Sequence, residues 1–352
     1  MTFDYLIIGQ GLAGTLLAYF LQKENKSVHV IDNGHKNSAS KIAAGIINPI
    51  TGRRYVKSWK IDELIPASLN TYKSIEKDLS LTLLHQQNIL RVIFDKKAQR
   101  YWDDLILKDN ASNYLCNEKD LAHYKDILKP IHDFGELTGY RVNLELLISA
   151  YANVLSEKQK LTIENFNYEL VEIGKSHIEY QGLKARHLIF CDGARAIHNP
   201  FFNYLPFQPA KGEAFRIKLK DFNGSKILRH KQFIVPMDHS MFWSGGGYEW
   251  DQLDEIPTSE FKDKWSNDLK DMINLSPEIF DHRAAVRPAV KGRRPLLGTH
   301  PKYNNLHIFN GLGTKGASLA PYFVFQLIDQ LLNQRPIDEE VNIERFKSLY
   351  IA

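Results

Sequence analysis

Glycines with the spacing Gly-x-Gly-x-x-Gly stand at Gly9, Gly11 and Gly14, and Asp32 follows eighteen residues after the last of them. Glycines at this spacing allow a tight turn and let the backbone approach a pyrophosphate closely. The free N–H groups at the start of a helix favour an anion there, and an acidic residue at that distance accepts hydrogen bonds from a ribose. We therefore expect a dinucleotide site with contacts from Gly9, Gln10, Gly11, Leu12, Ala13, Gly14, Asp32 and Asn33.

The elements around these glycines support that hypothesis. Tyr5 to Ile8 has the pattern of a buried strand, Leu12 to Lys23 that of a helix, and Ser27 to Asp32 that of a second strand. The alternative, a glycine-rich turn without a ligand, does not require this βαβ order. The pattern alone does not separate FAD from a nicotinamide cofactor, but a single fingerprint in the opening βαβ unit favours tightly held FAD.

A second glycine-rich loop occurs near the other end of the chain, between a predicted strand at Leu306 to Phe309 and a predicted helix from Gly316 to Leu332. The N-terminus of that helix would point free amides at an anion or a carbonyl edge. For a flavin this edge is the pyrimidine side, where negative charge develops on reduction, and Lys315 would add positive charge there. The alternative for Lys315 is a solvated loop position.

Four cations lie in the segment Ala284 to Pro295, namely Arg287, Lys291, Arg293 and Arg294. Such a segment could be a nucleic-acid patch, a clamp for a substrate or a solvated loop. A guanidinium offers a two-pronged donor that matches a carboxylate. An arginine paired with a buried carboxylate of the protein itself is the alternative for Arg287, while Arg293 and Arg294 are expected to be solvated.

A second basic stretch, 51–60, contains Arg53, Arg54, Lys57 and Lys60 with Tyr55 and Trp59 between them. Cations and aromatic rings together can meet an RNA backbone and stack on bases. Charged loops are more often simply solvated, and this one could also form a wall of a substrate entrance. A contact with tRNA is therefore one possible partnership.

Composition sets limits on these hypotheses. The chain has 352 residues, 43% hydrophobic and 24% charged, with a net charge of +4, which is typical of an ordinary folded protein with one large interleaved unit or two domains. Two cysteines without Cys/His clustering indicate neither a disulfide framework nor a metal site. With no predicted signal peptide or membrane span, we expect a cytoplasmic protein. The oligomeric state is left open.

Between the two glycine loops the pattern changes. Helices are predicted at 62–79, 96–108, 118–128, 144–155 (with Asn143 as its N-cap) and 258–272. Strands are predicted at 89–94, 161–163, 170–173 and 187–191, while alternation around Phe215 to Leu219 and Phe233 to Val235 indicates a half-exposed antiparallel sheet.

Several motifs, taken in order, resemble the D-amino-acid oxidase superfamily of FAD enzymes, most closely glycine oxidases and the flavin domain of the bifunctional enzyme that matures 5-methylaminomethyl-uridine in tRNA. They are the first glycine fingerprint, Ala43 to Pro49, Phe190 to Ala194, Arg287-Pro288 and Gly311 to Gly316. The resemblance covers nearly the whole chain. It implies an α/β fold in which a Rossmann-like FAD-binding domain of the GR2 type is interleaved with an α+β substrate domain containing a mixed or antiparallel sheet.

The resemblance implies domain boundaries and a function. The FAD-binding domain would take 1–51, 139–199 and 283–352, and the substrate domain 52–138 and 200–282. Non-covalent FAD would accept hydride at N5 from the C–N bond of an amino acid or secondary amine whose carboxylate Arg287 binds, without an essential protein acid or base. The alternatives are removal of a carboxymethyl group from a modified wobble uridine of tRNA, and a flavin-binding protein without catalysis.

The resemblance also implies the residues that hold the flavin, with Glu169 on the adenosine side. Beyond the first fingerprint these are Ala39, Ser40, Ala44, Gly45, Ile46, Glu169, Gly193, Gly311, Leu312, Gly313, Thr314, Lys315, Gly316, Ala317 and Ser318.

Two positions depart from the family pattern. Gly292 stands where relatives carry an acidic residue, and Phe233 stands where glycine oxidases carry a tyrosine. Phe233 keeps an aromatic wall for the substrate but lacks a hydroxyl that could help to bind a carboxylate, so plain glycine oxidation is in doubt. Packing in the core is the alternative role for Phe233.

Overall fold

The computed structural model describes residues 2–34, 37–107, 109–116, 121–129, 132–238 and 240–351. Its α-helices are α1 (Leu12–Lys23), α2 (Ala39–Ile42), α3 (Ile61–Leu79), α4 (Lys96–Ile106), α5 (Ala122–Lys125), α6 (Leu144–Glu157), α7 (Ser259–Lys270) and α8 (Gly316–Asn333). Short 3₁₀ helices cover Asp109–Tyr114, Tyr168–Leu170, Gly193–His198 and Ile343–Leu349.

The strands, in chain order, are β1 (Thr2–Ile8), β2 (Val28–Asp32), β3 (Ile46–Ile47), β4 (Ile50–Thr51), β5 (Val56–Lys57), β6 (Leu84–Gln86), β7 (Ile89–Ile93), β8 (Asp133–Leu137), β9 (Tyr140–Val142), β10 (Leu161–Ile163), β11 (Val171–Ile173), β12 (Ile178–Tyr180), β13 (Leu183–Phe190), β14 (Ala210–Leu219), β15 (Ile227–Arg229), β16 (Phe233–Pro236), β17 (Met241–Glu249), β18 (Pro277–Arg287), β19 (Leu296–Thr299) and β20 (Leu306–Asn310).

An eight-stranded sheet joins the two ends of the chain. Its order is β10-β2-β1-β13-β12-β11, and β20 pairs with both β13 and β19. The neighbours of β1 run parallel to it, which fits the fully buried apolar run from Tyr5 to Ile8. Parallel strands end at one edge, so the loops after β1, β13 and β20 lie close together.

Helices α1, α3, α6 and α8 cover one face of this sheet. Residues 12–21 of α1 are all buried, because the helix packs against the sheet on one side and α8 on the other. From α3, the Tyr72 hydroxyl donates to the carbonyl of Ala317 at 2.8 Å, which fixes the first turn of α8. The opposite face packs around Phe166, Phe190 and Phe202.

A seven-stranded, mostly antiparallel sheet forms the second layer, in the order β18-β14-β17-β16-β15-β7-β8. One face carries Phe215, Ile217 and Trp265 of α7 in a separate apolar cluster. The other face packs its Ile227 and Val235 with Ile50 and Tyr55 of the segment that follows α2.

Most predicted elements lie within a few residues of those observed. Asn143 caps α6 by accepting from the N–H of Leu146 at 3.2 Å. One prediction was wrong in extent: the predicted helix 118–128, partly outside the described residues, is the four-residue α5. The predicted strand 170–173 is β11, with Leu170 in the 3₁₀ turn ahead of it. Ala284 to Arg287, whose structure the sequence left open, are the end of strand β18.

The architecture is the predicted mixed α/β fold, with one mainly parallel and one mainly antiparallel sheet. The two sheets interleave along the chain, while the residue boundaries proposed for two domains stay a prediction. No helix in the described part of the chain combines the length and apolar character needed to cross a bilayer.

Candidate functional site

The first glycine loop lies between β1 and α1 in a conformation that only glycine allows. Gly9 has a φ of +100°, and a Cβ there would come within 2.4 Å of the Cys191 carbonyl oxygen. A Cβ on Gly14 would lie 1.8 Å from the carbonyl oxygen of Gly9. The start of α1 therefore packs directly on the loop and on the end of β13.

Asp32, at the end of β2, orders this loop. Its two carboxylate oxygens accept from the N–H groups of Gln10 and Gly34, each at 2.7 Å. The Gln10 side chain turns inward to Thr15 and to the carbonyl of Ile148. Gln10 therefore presents only its backbone to the site, and the Asn33 side chain, which donates to Asn165, lies beside it.

Helix α1 begins without a side-chain N-cap, since its cap residue is Gly11. Ser40, on α2, accepts from the N–H of Leu12 at 3.1 Å and brings Ala39 and α2 against the loop. The side chains of Leu12 and Ala13 are buried in the core. Only the backbone of the first turn of α1 therefore faces outward, with positive potential for an anion.

The segment after α2 passes close to β9. Gly45 has a φ of +71°, and a Cβ there would lie 1.9 Å from the Val142 carbonyl oxygen. Ile46 pairs with Arg141, and Ala44 and Ile46 pack at the edge of the apolar cluster around Tyr55. The predicted lining residues Ala44, Gly45 and Ile46 therefore lie between the two sheets.

The second glycine loop follows β20. Gly311 and Gly313 have φ values of +74° and +53°, and the Gly313 N–H donates to the Pro288 carbonyl at 3.1 Å. Leu312, Ala317 and Ser318 are buried, while Thr314 is exposed. Helix α8 starts at Gly316 without a side-chain cap, so neither glycine loop caps the helix that follows it with a side chain of its own.

Lys315 is half-buried and is not a solvated loop lysine. Its ammonium donates to the hydroxyls of Ser58 at 3.1 Å and Thr51 at 3.5 Å. Burial, together with Arg293 and Arg294, lowers the pKa of Lys315. The cation is therefore held at the start of α8 by neutral partners.

Asp192 connects the ends of β13 and β20. It accepts from the side chains of Asn199 and Tyr168, each at 3.0 Å, and of Asn310 at 2.9 Å. Burial raises its pKa to about 6 against the opposing effect of these bonds. Asn310 also donates to the Gly193 carbonyl, so Gly193 is fixed at the same edge of the sheet.

Glu169 is exposed in the short turn Tyr168–Leu170, and its N–H donates to Asn167 at 3.0 Å. The predicted backbone contact of Glu169 with the adenosine side can therefore use only its carbonyl group.

Arg287, at the end of β18, has no carboxylate partner among the described residues. Its guanidinium donates to the carbonyl oxygens of Gly247 at 2.8 Å and of Lys211 and Gly246 at 3.4 Å. It also lies 5.0 Å from the centre of the Tyr248 ring. The side chain is half-buried, and burial lowers the pKa of Arg287. This arrangement excludes the alternative of an arginine neutralised by a described carboxylate.

The other cations of the 284–295 segment have different surroundings. Arg293 is exposed, as predicted, and Lys291 is exposed too. Arg294 differs: it stacks 4.0 Å from the centre of the Trp59 ring and forms an ion pair with Glu340 at 3.4 Å. The prediction of a solvated Arg294 was wrong, because a guanidinium can stack on an aromatic face while paired.

Phe233 is half-buried on β16, with the Arg229 guanidinium 4.5 Å from the centre of its ring. Sequence reasoning missed Arg229 and its neighbour Arg91. Each stands in a strand that is otherwise apolar, Ile227–Arg229 and Ile89–Ile93, on the face shared with Phe233. A cation inside an apolar strand pattern was the available signal.

The basic stretch 51–60 is a hairpin formed by β4 and β5. Arg53 and Arg54 are exposed at its tip, whereas Tyr55 is buried. Lys57 and Lys60 form ion pairs with Asp62 and Asp338. Only the two arginines at the tip are therefore free to meet a large anionic partner.

Comparisons with known proteins agree with this geometry. A family model described as FAD dependent oxidoreductase matches residues 4–323. Glycine oxidase of Bacillus subtilis is 23% identical over 94% of each chain. The crystal structure of glycine oxidase from Geobacillus kaustophilus aligns with a TM-score of 0.80 and 16% identity over 98% of each chain. Iminodiacetate oxidase from a Chelativorans species aligns with a TM-score of 0.75 and 20% identity, over 97% of this chain and 98% of its own.

Proposed function

The chain belongs to the FAD dependent oxidoreductase family, and we propose that it oxidises the C–N bond of an amino acid or a secondary amine whose carboxylate is bound by Arg287. Relatives named glycine oxidase and iminodiacetate oxidase support this class of substrate. The half-buried guanidinium of Arg287, without a described carboxylate beside it, carries the proposal.

The residues that would hold FAD fit an extended dinucleotide. Cβ atoms are excluded at Gly9 and Gly14 by the protein backbone, which gives the tight turn and the close packing of α1 that a dinucleotide loop needs. Asp32 would meet the ribose, and the uncapped starts of α1 and α8 would meet the pyrophosphate and the flavin ring. Gly45 would bring the segment after α2 against the ring.

The protein's own task is to bind and orient the substrate. When bound, FAD supplies the acceptor for a hydride from the carbon next to nitrogen. Arg287 would pin the carboxylate, and Phe233 would limit the space beside it. The charges of Arg287 and Lys315 also disfavour a proton on a nearby amine, so the reactive neutral amine is favoured without a protein base.

The test is reduction of the bound flavin under anaerobic conditions, followed at its visible absorbance, with glycine, sarcosine, proline, D-amino acids and iminodiacetate. Arg287→Gln should raise the half-saturating concentration of the best substrate at least 100-fold, because a bidentate charged contact is lost. Arg293→Gln removes an exposed arginine six residues away and serves as the matched control.

Equal rates of flavin reduction in Arg287→Gln and the parent protein would contradict the role given to Arg287. If no amine reduces the flavin, the alternative of a flavin-binding protein without catalysis is favoured.

A second candidate substrate is a carboxymethylaminomethyl group on a wobble uridine of tRNA, since the chemistry is shared. The exposed Arg53 and Arg54 at the tip of the β4–β5 hairpin favour it, because phosphate contacts dominate affinity for nucleic acids.

Binding of tRNA separates the two candidates. Replacing both Arg53 and Arg54 by Gln should weaken tRNA binding about tenfold and reduce its salt dependence, while leaving the oxidation of a small amino acid unchanged. Binding that is equal in the parent and the double variant would remove the argument for tRNA.

A further inference from the structure

Two arginines of the second sheet face each other across neighbouring strands. Arg91 on β7 and Arg229 on β15 are register partners in the parallel pairing of these strands, and Arg229 is in turn opposite Phe233 of β16. Both side chains are half-buried. Like charges in directly opposite positions destabilise a sheet, so this pair requires a compensating partner.

The described part of the chain provides no carboxylate for either arginine. Arg91 donates to the Gly52 carbonyl at 3.1 Å and lies 4.9 Å from the centre of the Tyr55 ring, while its buried Nε has no hydrogen-bond partner among the described residues. Within the same part of the chain, Arg229 donates only to the carbonyl of His230. Burial lowers the pKa of both, and for Arg229, to about 10, the neighbouring Arg91 contributes as well.

Two other arginines on the same sheet do have an acidic partner. Arg216 on β14 and Arg283 on β18 both form ion pairs with Glu145 at the start of α6. These two arginines have a clear structural role in joining the sheet to a helix. Arg91 and Arg229 have aromatic neighbours and backbone carbonyls instead, which orient the guanidinium groups without neutralising them.

The pair lies on the sheet face that packs against the segment after α2. Tyr55, Phe233 and the predicted lining residues Ala44 and Ile46 belong to one apolar cluster on that face. Strand register connects the pair to the proposed carboxylate clamp: Arg229 is opposite Phe233, and Phe233 is opposite Gly245 of β17. The Arg287 guanidinium reaches the next two residues of β17, Gly246 and Gly247, from the other side of that strand. Arg229 and Arg287 therefore approach the same stretch of β17 from opposite sides.

We propose that Arg91 and Arg229 form a second oxyanion site, so that the substrate is an amino compound with two anionic groups, one bound by Arg287 and the other by the arginine pair. This inference rests on the proposed oxidation of a substrate held by Arg287. The second group is a carboxylate or a phosphate, either of which matches the donor geometry of a guanidinium. Phe233 then supports the Arg229 guanidinium by stacking. Stacking needs only the aromatic ring, so the hydroxyl of a tyrosine is not required at this position.

A binding experiment with the FAD-loaded protein tests the site without relying on turnover. Three anions that lack an oxidisable amine are compared by thermal unfolding and titration: thiodiacetate with two carboxylates, 3-phosphonopropionate with a carboxylate and a phosphonate, and methylthioacetate with one carboxylate. We expect at least one dianion to bind ten times more tightly than methylthioacetate. Whichever dianion binds more tightly identifies the second oxyanion.

Arg229→Gln and Arg91→Gln should each reduce this preference for the dianion at least fivefold, whereas Arg100→Gln, at an exposed position on α4, should leave it unchanged. If a glutamine variant does not fold, Arg229→Lys replaces it in the binding comparison, because lysine keeps the charge but lacks the planar guanidinium. The inference is overturned if the parent protein binds neither dianion more tightly than methylthioacetate. It is also overturned if the variants lose affinity for all three anions equally.

Turnover separates this inference from the proposed function. The ratio of kcat/KM for iminodiacetate to kcat/KM for sarcosine should be at least tenfold lower in Arg229→Gln than in the parent protein. If that ratio is unchanged while Arg287→Gln impairs both substrates, the second site is wrong and the proposed function stands. If none of the amines tested under the proposed function is oxidised but dianions still bind in an Arg229-dependent manner, the proposed oxidation is wrong, and the arginine pair is an anion site without the proposed amine substrate.

Discussion

At the scale of single residues, the chemistry of this site depends on where side chains are missing as much as on where they are present. The glycine spacing in 9–14 was readable from the sequence because it reports a local turn. The surroundings of Arg287 could not be predicted from the sequence, since its neighbours Gly246, Gly247 and Tyr248 belong to another strand about forty residues away. A motif indicates that a residue has a functional role, but whether a charged residue has a neutralising partner depends on tertiary contacts.

Gly14→Ala tests the close packing of the first loop. The new Cβ would meet the Gly9 carbonyl oxygen at 1.8 Å, and neither backbone can yield without separating α1 from β1. We expect a loss of about 3 kcal/mol in stability and purification without FAD. Gly182→Ala is the control: its φ of +81° is strained, but nothing lies within 4 Å, so about 1 kcal/mol is expected and FAD should be retained. Equal FAD content and melting temperature in the two variants would contradict the argument.

Asp192→Asn tests the buried carboxyl group. Burial raises the pKa of Asp192 from an ordinary 3.8 to about 6, so its contribution to stability is complete below pH 4 and is lost as the pH rises through 6. This shift in pKa corresponds to about 3 kcal/mol in the free energy of unfolding. Asparagine does not titrate, so the difference in unfolding free energy between variant and parent should shift in favour of the variant between pH 4 and 7. Urea unfolding across this range gives the answer, and a constant difference would refute the shifted pKa.

At the scale of elements, periodicity predicted most helices and strands, but not which strands are neighbours. The pairing of β14 with β18 puts Gly212 beneath the Arg287 side chain, where a Cβ would lie 1.8 Å from Nη2. The pairing of β7 with β15 brings Arg91 and Arg229 together from positions 138 residues apart. Such contacts depend on the order of strands in the sheet, and no local pattern in a single sequence indicates that order.

Gly212→Ala should therefore displace Arg287 without removing its charge. Since the colliding atoms belong to a flexible side chain, we expect a stability change below about 1 kcal/mol but at least a tenfold rise in KM for the amino-acid substrate. The double variant Gly212→Ala/Arg287→Gln should be no worse than Arg287→Gln alone, because both changes remove one interaction. Additive effects in steady-state kinetics would show that Gly212 acts elsewhere.

At the scale of the whole molecule, FAD would lie between two sheets that have separate apolar clusters. The sequence indicated two layers through the change from buried runs to alternation. It did not show that β1, β13 and β20 lie side by side, since the pairing of Ile8 with Phe190 spans about half of the chain and Phe190 in turn pairs with Ile308. The predicted fold class followed from motif order rather than from any single segment.

Removal of FAD should destabilise the whole molecule, because the cofactor would contact both glycine loops and the segment after α2. At a free FAD concentration of 100 times Kd, binding contributes about 2.7 kcal/mol, so the apoprotein should melt about 4 °C lower. FMN lacks the adenosine half that would reach Asp32 and the first glycine loop, and should restore less than half of this shift. Full recovery with FMN in differential scanning calorimetry would contradict the assignment of the first loop.

The parallel pairing of β1 with β13 and of β13 with β20 also has a consequence for synthesis on the ribosome. At about 5–20 residues per second, roughly 15–60 s separate the emergence of Ile8 from that of Ile308. Strand β13 is complete only when Phe190 emerges, 182 residues after Ile8, so for roughly 9–36 s the first glycine loop lacks the strand end on which Gly9 packs and β1 has one unpaired edge. From then until Ile308 emerges, β13 has an unpaired edge, because its partner β20 is still missing. An FAD molecule that contacts both glycine loops, as proposed, would be captured only after translation of the second loop.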